Sequence, residues 1–560
     1  MDGSRPALMR RLNRWLWTGL RLTPLAFLAL FFFYPLWSIF QLSLAPQGVL
    51  DLSGWVALTR NSYYANIVWF TTWQALLSTA LTLLIALPIA NIFIRYRFWG
   101  RGVLLTLSAL PFVLPTVIVA VAFSALLGRN GLLNDALMRL FTLDTAPIEL
   151  ERTLTLILLA HIFYNVPLAL RLLVSYGANQ SPRLEEAAQT FGISGWRLWW
   201  QVRLPLLRPA ITSAALLVFL FTFTSFGVIL ILGGARFATL EVEIHRQTTA
   251  LFNLPLAALL ALLQMAITVL ITSLYSQSQR AVNTATLVKV TLKPIPPPAR
   301  ISARIAVVAL CALVFLPLFA LILRSVLDDG IFSLRAYQQL GTISRQSVLF
   351  VPPVVAIGNS LRVALVTMLW AVILGVLAAY LLWTAKRWRG LLDPLFLLPL
   401  STSAVTLGFG FIVALDTPPL NLRSSWWLLP IAHTLVGLPF VVRSVLPALA
   451  GIPTNVREAG LLFEPNAARR WRLIELPLLA RGISVGAAFA FTVSMGEFGA
   501  TLFVARPETP TIPLMIYRLI SRPGIDNYAQ ALAMSVILLG ICALAFLLIE
   551  GVRGSVSSEF

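Results

Sequence analysis

The stretch EEAAQTFGISGWRLWWQVRLPLLRP, Glu185 to Pro209, is a polar, arginine-bearing interruption in an otherwise apolar chain. A second stretch, REAGLLFEPNAARRWRLIELPLLARG, Arg457 to Gly482, repeats it at a constant offset without a gap. Glu186 pairs with Glu458, Ala187 with Ala459, Phe191 with Phe463, Arg197 with Arg469, Trp199 with Trp471, and Leu204-Pro205 with Leu476-Pro477. The same offset pairs His161 with His433, Pro167 with Pro439, Arg171 with Arg443, and Phe226-Gly227 with Phe498-Gly499. Pro111 meets Pro399 only at a larger offset, so the first half carries a longer loop around Leu127 to Arg152. The chain therefore reads as a tandem duplication, which sets the architecture before any single residue does.

Composition names the solvent. Of 560 residues 58% are hydrophobic and only 11% charged, with a mean hydropathy of +0.85. Too little polar surface remains to cover a water-soluble globule. Apolar runs long enough to cross about 30 Å of hydrocarbon as helix recur along the whole chain. Twelve spans are predicted, the third over 103–127 and the ninth over 391–415. An even number of spans separates the two copies of the repeated stretch, so both face the same side and the halves are parallel repeats about an axis along the membrane normal. The expected divisions are a six-helix repeat over 1–276 with the stretch 181–209, a linker over 277–300 containing Lys-Pro-Ile-Pro-Pro-Pro, and a second six-helix repeat over 301–560 with the stretch 453–481.

Charge gives the orientation. With the N-terminus inside, Lys and Arg on the inner segments outnumber those outside by about two to one. The net charge of +20 is then topological, lying near anionic head groups, and nucleic acid is not an expected partner. Arg5, Arg10, Arg11, Arg14 and Arg21 precede a run too long and too aromatic for a signal peptide, so a retained first helix is predicted. Cys311 and Cys542 both fall inside spans and read as packing residues; no disulfide framework and no metal site is indicated.

The repeated stretch has its own local logic. Ser181 can cap a helix, Pro182 suits its first turn, Glu185 and Glu186 favour the positive end of its dipole, and Gly192 can end it. Ala187 and Ala188 leave a flat surface for close approach. A second amphipathic segment, Trp196 to Leu204, then leads to a proline at the return into the membrane. An amphipathic segment lying on the bilayer would account for the Trp and Arg content equally well, but not for two copies with the same internal spacing.

The pattern Glu-Ala-Ala, three residues, Gly, nine residues, an aliphatic, one residue, Leu-Pro resembles the coupling-loop signature of the permeases of ATP-binding-cassette (ABC) importers. Glu186, Ala187, Ala188, Gly192, Val202, Leu204 and Pro205 match it at every position, and the likeness extends over the chain as a fused pair of six-helix permeases. In the second copy Glu458, Ala459, Leu476 and Pro477 match, whereas Gly460 and Glu464 replace the third Ala and the Gly. The resemblance implies that these residues, with Glu185, dock two copies of a cytoplasmic ABC ATPase. It also implies that an external substrate-binding protein delivers the cargo, and that the chain sits in the bacterial inner membrane with both termini cytoplasmic. ATP and Mg2+ would belong to the ATPase, and this chain would bind no cofactor. The fused form, with Ser-Phe-Gly at 225–227, Thr-Leu-Glu-Val-Glu-Ile at 239–244 and Gly-Glu-Phe-Gly at 496–499, resembles the thiamine and ferric-iron branch. Iron is slightly preferred as cargo over thiamine, ahead of a polyamine or an inorganic anion.

Polar groups inside spans are costly in lipid and mark a passage or an interhelical contact. Glu497, its counterpart Ser225, His161 and His433 are the candidates for the passage. A structural hydrogen bond explains Glu497 as well as a passage does, and explains the histidines better than metal ligation does. No catalytic residue is proposed. The chain has no Walker-type loop, and its only lysines are Lys289, Lys293 and Lys386, so ATP hydrolysis requires another subunit. H-E-x-x-H is also absent. Two other readings stay open on the residues: a secondary transporter driven by an ion gradient, and a polytopic lipid-modifying enzyme using Glu497 and a histidine.

Overall fold

The computed structural model describes residues 19–20, 22–45, 48–181, 183–283, 293–328, 331–342, 350–385, 387–416, 418, 420–464 and 466–554. The N-terminal arginines, Pro182, Lys289, Lys386, Pro465, the middle of the expected linker and the two chain termini lie outside them.

The protein is all-α and built to cross a membrane. Among the described residues eleven helices are long and apolar enough to do so, and twelve if one bent pair counts as a span. In chain order the first to sixth spans are Leu22–Leu44, Ser62–Arg95, Thr116–Phe141 with the shorter apolar helix Arg101–Val113 just before it, Leu154–Gly177, Gly195–Phe223 and Leu254–Gln279. The seventh to twelfth are Arg300–Ser325, Pro353–Thr384, the pair Arg389–Ser401 and Ala404–Leu415, Leu428–Ala450, Ala468–Gly496 and Ile525–Gly551. Helices dominate because hydrocarbon offers no partner to a backbone amide.

The third and ninth spans differ from the continuous helices expected over 103–127 and 391–415. Each expected stretch is broken near mid-length, the third at Leu114-Pro115 and the ninth, with a 94° bend, at Thr402-Ser403. Pro115 brings no amide to the third break; at the ninth, Ser403 instead caps the new helix by accepting from Val405 N–H at 3.1 Å. The expected linker also begins later than position 277, because the sixth helix runs on to Asn283. Lys293-Pro294 then pairs in parallel with Tyr96-Arg97 beyond the second span, which ties the returning chain to the end of the bundle where the second span finishes.

Packing crosses the sequence repeat. Leu28 and Phe32 of the first span are fully buried with Phe411, Leu415 and Leu428 of the second half. A Cβ on Gly410 would meet Ile39 and Pro35 at 3.2 Å, so the first span lies directly on the ninth. Reciprocally, Ala303, Ala306, Leu310 and Val314 of the seventh span pack among Ala86, Ile89 and Phe93 of the second. Each half lends its first helix to the other. Close helix contact elsewhere uses small residues: a Cβ on Gly375 would lie 2.6 Å from Val441, and one on Gly437 would lie 3.3 Å from Ala490.

The additional residues of the first half have a structural use. They form the helix Leu132–Phe141, whose buried Asn134 donates to the carbonyls of Gly128 and Ile148 and accepts from the Ile148 amide.

Candidate functional site

Two places carry chemistry: the paired segments at one end of the bundle, and a cavity at its centre.

In the first segment the helix Arg183–Thr190 starts with Ser181 Oγ accepting from Arg183 N–H and ends at Gly192, whose φ of +80° is open to glycine without cost. In the second, the helix Thr454–Phe463 runs two residues longer and stops at Glu464 in an extended conformation. The replacement of Gly192 by Glu464 thus changes how the helix ends. Gly460, buried where the first segment has Ala188, lets Ile474 and Arg470 approach to 3.0 and 3.3 Å of where a Cβ would be.

Beyond each short helix the chain does not restart at the proline, as the sequence suggests. A single helix runs from Gly195 through Phe223, and another from Ala468 through Gly496. Each passes through one π turn, Trp199–Arg203 and Trp471–Glu475, immediately before Leu204-Pro205 and Leu476-Pro477. Proline offers no amide for the preceding turn, and the wider ring absorbs the missing bond. The two segments share one end of the bundle, since the spans alternate in direction. Glu186, Ala187, Glu458, Phe191, Leu462 and Phe463 are exposed there.

At the other site, four helices break together. The third and ninth spans break as described; the fifth ends at Phe223 and the eleventh at Gly496, and each is followed by a short helix, Gly227–Leu232 and Gly499–Val504. The breaks interlock. A Cβ on Gly496 would touch Pro115 at 3.1 Å, one on Gly227 would lie 2.3 Å from Thr116 Oγ1, and one on Gly499 would lie 3.0 Å from Ala404. Groups freed by the breaks find partners: Tyr164 OH donates to the Leu114 carbonyl at 3.2 Å, and Gln74 Nε2 donates to that of Thr222 at 3.0 Å. The helices that follow are anchored alike, with the Leu240 amide donating to Thr71 Oγ1 and the Ile512 amide to Ser360 Oγ.

Between the breaks lies a cavity of about 340 Å³. Phe112, Tyr164, Phe221, Phe440 and Phe489 form much of its wall, and Thr116, Asn165, Ser225, Glu241, Thr492 and Glu497 supply its polar groups. The rings of Phe226 and Phe498, the two repeated Phe-Gly positions, stack across it at 5.8 Å. His245, Phe503 and Tyr517 extend that layer through edge and tilted contacts. Phe221, Phe489 and Thr492 precede the breaks and Gly227, Val228 and Gly499 follow them, so the cavity lies at the level of the breaks.

The structure brings three of the four passage candidates to this wall. Ser225, Glu497 and His161 line it, whereas His433 does not. His161 bridges Ser78 and Ser225 hydroxyls at 3.0 and 2.9 Å, and His433 bridges Ser494 and Thr501 at 2.8 and 2.9 Å. Both histidines are buried links between elements. Among the described residues no group of three His, Cys, Asp or Glu side chains is arranged to hold a metal ion. Glu497 accepts from the Ala500 amide at 2.7 Å, so it also caps the short helix after the break.

Sequence reasoning missed Glu241. It is 2% exposed, lines the same cavity, and accepts from Gln264 Nε2 at 2.8 Å. Its neighbour Glu243 is wholly buried and faces away, bound by Tyr63, Arg246 and Gln247.

Residues 78–284 match the family model described as binding-protein-dependent transport system inner membrane component. The chain is 29% identical over 510 residues to the thiamine transport system permease protein ThiP of Escherichia coli, covering 89% of this chain and 91% of that protein. It is 28% identical to the Salmonella typhimurium protein of the same name, over 91% and 92% of the two chains. A probable ABC transporter permease protein of Sinorhizobium fredii, y4fN, is 25% identical over 90% and 91%. The matches to these relatives extend over both halves of the chain, and not one half alone. By their printed descriptions these are transport permeases of the inner membrane that depend on a binding protein. Over nearly its whole length the chain is thus similar to binding-protein-dependent, inner-membrane transport permeases, and its apolar helices are long enough for a multi-pass membrane protein.

Proposed function

We propose that this permease admits a small organic cation, of which thiamine is the first candidate, through the cavity at the four helix breaks. One observation carries the reading: two buried carboxylates, Glu241 and Glu497, share an otherwise aromatic cavity on the line between the halves. Carboxylates supply charge compensation to a cation, and aromatic faces supply stacking and cation–π contact. Interrupted helices at mid-membrane are where transporters hold cargo. The relatives named as thiamine permeases support the same choice, so thiamine now precedes ferric iron, polyamines and anions.

The coupling residues keep the roles expected of them. Glu185, Glu186, Ala187, Ala188, Gly192, Leu204 and Pro205, with Glu458, Ala459, Gly460, Glu464, Leu476 and Pro477, form the two places where a pair of cytoplasmic ATPases docks. ATP closes that pair, and the halves rock about the stacked Phe226 and Phe498. Cargo enters from an external binding protein while the ring layer is parted and leaves when it re-forms. Differential contact with the two states is what lets nucleotide drive the change. Both chain termini belong on the ATPase side.

The test is uptake of radiolabelled thiamine by cells carrying Glu241→Gln, Glu497→Gln or both, with ATPase co-purification measured in parallel. The double variant is expected to lose at least about tenfold in uptake while retaining the ATPase. Unchanged uptake would refute the cation passage. Loss of the ATPase only in Glu186→Ala with Glu458→Ala would support the docking roles separately, and uptake that follows an ion gradient and ignores ATP would favour a secondary carrier.

A further inference from the structure

The two paired segments share a short helix followed by a π turn and differ in charge. In the first, Glu185 Oε2 lies 3.1 Å from Arg203 Nη2 and 3.6 Å from Arg95 Nη2. One carboxylate on the short helix thus faces a guanidinium from the π turn and another from the last turn of the second span. The group is partly sheltered, with 11% of the Arg203 side chain and 27% of that of Glu185 exposed.

At the repeat-related positions the signs are exchanged: Arg457 stands for Glu185 and Glu475 for Arg203. The Arg457 guanidinium lies 4.0 Å from the centroid of the Trp383 ring and donates to the Leu449 carbonyl. Glu475 accepts from the Tyr380 hydroxyl. Trp383 and Tyr380 end the eighth span as Arg95 ends the second. In the first half the short helix is thus fastened to both the π turn and the span end, whereas in the second Arg457 of the short helix and Glu475 of the π turn are each fastened to the same span end. The span contributes a cation in one half and aromatic rings in the other.

We propose that these groups are two clasps of unlike chemistry that set the orientation of the coupling segments. Arg95, Glu185 and Arg203 form an ionic clasp; Trp383, Tyr380, Arg457 and Glu475 form an aromatic one. All seven are positioning residues. Without Glu185, Arg95 and Arg203 would face each other with no anion between them in a partly buried site. Added salt screens that ionic group, because the Debye length falls from about 10 Å at 0.1 M to about 3 Å at 1 M. A guanidinium seated over an indole ring depends on contact with the ring face and excludes much of the screening solution. The first segment should loosen with salt and the second should hold.

The consequence for transport rests on the proposed docking of ATPases at these segments, but the test does not. Amide hydrogen exchange of the full chain in lipid nanodiscs, without ATPase, reads the two segments separately. Between about 0.05 and about 0.5 M salt, protection of 183–190 is expected to fall about tenfold and that of 454–463 by less than about twofold. Glu185→Gln should give the first loss already at low salt, and Trp383→Leu should loosen 454–463 alone. Glu185→Arg combined with Arg203→Glu keeps two cations and one anion in the clasp and should restore the protection that either single reversal removes. Equal salt responses in the unaltered chain, or a double variant no better than the singles, would overturn the inference. The salt comparison needs no variant to fold.

Discussion

Where the second half places the carboxylate of Glu497, the first has the hydroxyl of Ser225, and where the first places Glu241, the second has Pro513. The backbone around these positions is nearly the same in both halves. Each has a Phe-Gly break, a short helix after it, a hydroxyl on the second or eighth span that receives the next helix's amide, and a histidine bridging two hydroxyls. Duplication has kept the devices that satisfy backbone groups in lipid, where each unpaired amide is costly. Charge has diverged. Each half now gives the cavity one acidic side chain from a different element, and the paired segments reverse sign at two positions, Glu185/Arg457 and Arg203/Glu475. The two-fold frame supplies geometry, and the departures from it supply polarity.

The loss from the double carboxylate variant is the largest effect expected, and its asymmetry sharpens the comparison. Glu497 also caps a helix, so Glu497→Gln should lower both uptake and thermal stability, while Glu241→Gln should lower mainly uptake. The next effect tests the interlocked breaks. A Cβ on Gly227 would meet Thr116 Oγ1 at 2.3 Å, whereas one on Gly499 would meet Ala404 at 3.0 Å. Gly227→Ala is therefore expected to cost about 1–3 kcal/mol and Gly499→Ala less, as read by thermal unfolding in detergent. Equal costs would mean that the frame is more nearly symmetric than these distances.

The histidines come third. Replacing either by Leu leaves two buried hydroxyls without their partner, which should cost about 1–3 kcal/mol by the same assay. His161→Leu should also alter uptake, since it and Ser225 line the cavity; His433→Leu should not, because neither it nor its partners Ser494 and Thr501 line it. A cost that appears only when a metal ion is supplied would restore the ligand reading of these residues.

Much of this was legible before any coordinates. The run of apolar stretches, the offset of the repeat, and the Glu-Ala-Ala to Leu-Pro spacing depend on local composition and on short range order. So do His161 and His433, whose polarity inside a span demanded partners. Glu241 was hidden for the converse reason. It falls between the apolar runs that end near 232 and begin near 254, and a sequence window takes such residues for a surface loop. The helix Leu240–Thr249 instead folds back against the bundle, held by Thr71. The break at Thr402-Ser403 was missed because its flanking helices are both apolar, and hydropathy registers composition and not direction. The exchanged first helices are likewise a matter of long-range packing. The clasps could have been found by aligning the two copies residue by residue and asking where sign reverses.

The smallest effect concerns the feature that only one half has. Arg324, at the end of the seventh span, pairs with Asp135 of the added helix Leu132–Phe141 at 2.7 Å and donates to the Asn130 carbonyl. The contact joins an insertion of the first half to a span of the second, so it looks like a strap across the repeat. Its charges are only partly sheltered, however, with side chains 19% and 35% exposed. Ion pairs of that kind contribute about 0–1 kcal/mol. The helix itself depends more on Asn134, which is wholly buried and makes three hydrogen bonds to the flanking loop. Asp135→Asn should therefore shift thermal unfolding by less than about 1 kcal/mol, and Asn134→Ala should cost about 1–3 kcal/mol, with uptake nearly unchanged for Asp135→Asn. A large loss of uptake from Asp135→Asn would give the added helix a part in the rocking of the halves, and the asymmetry between them would then be mechanical as well as electrostatic.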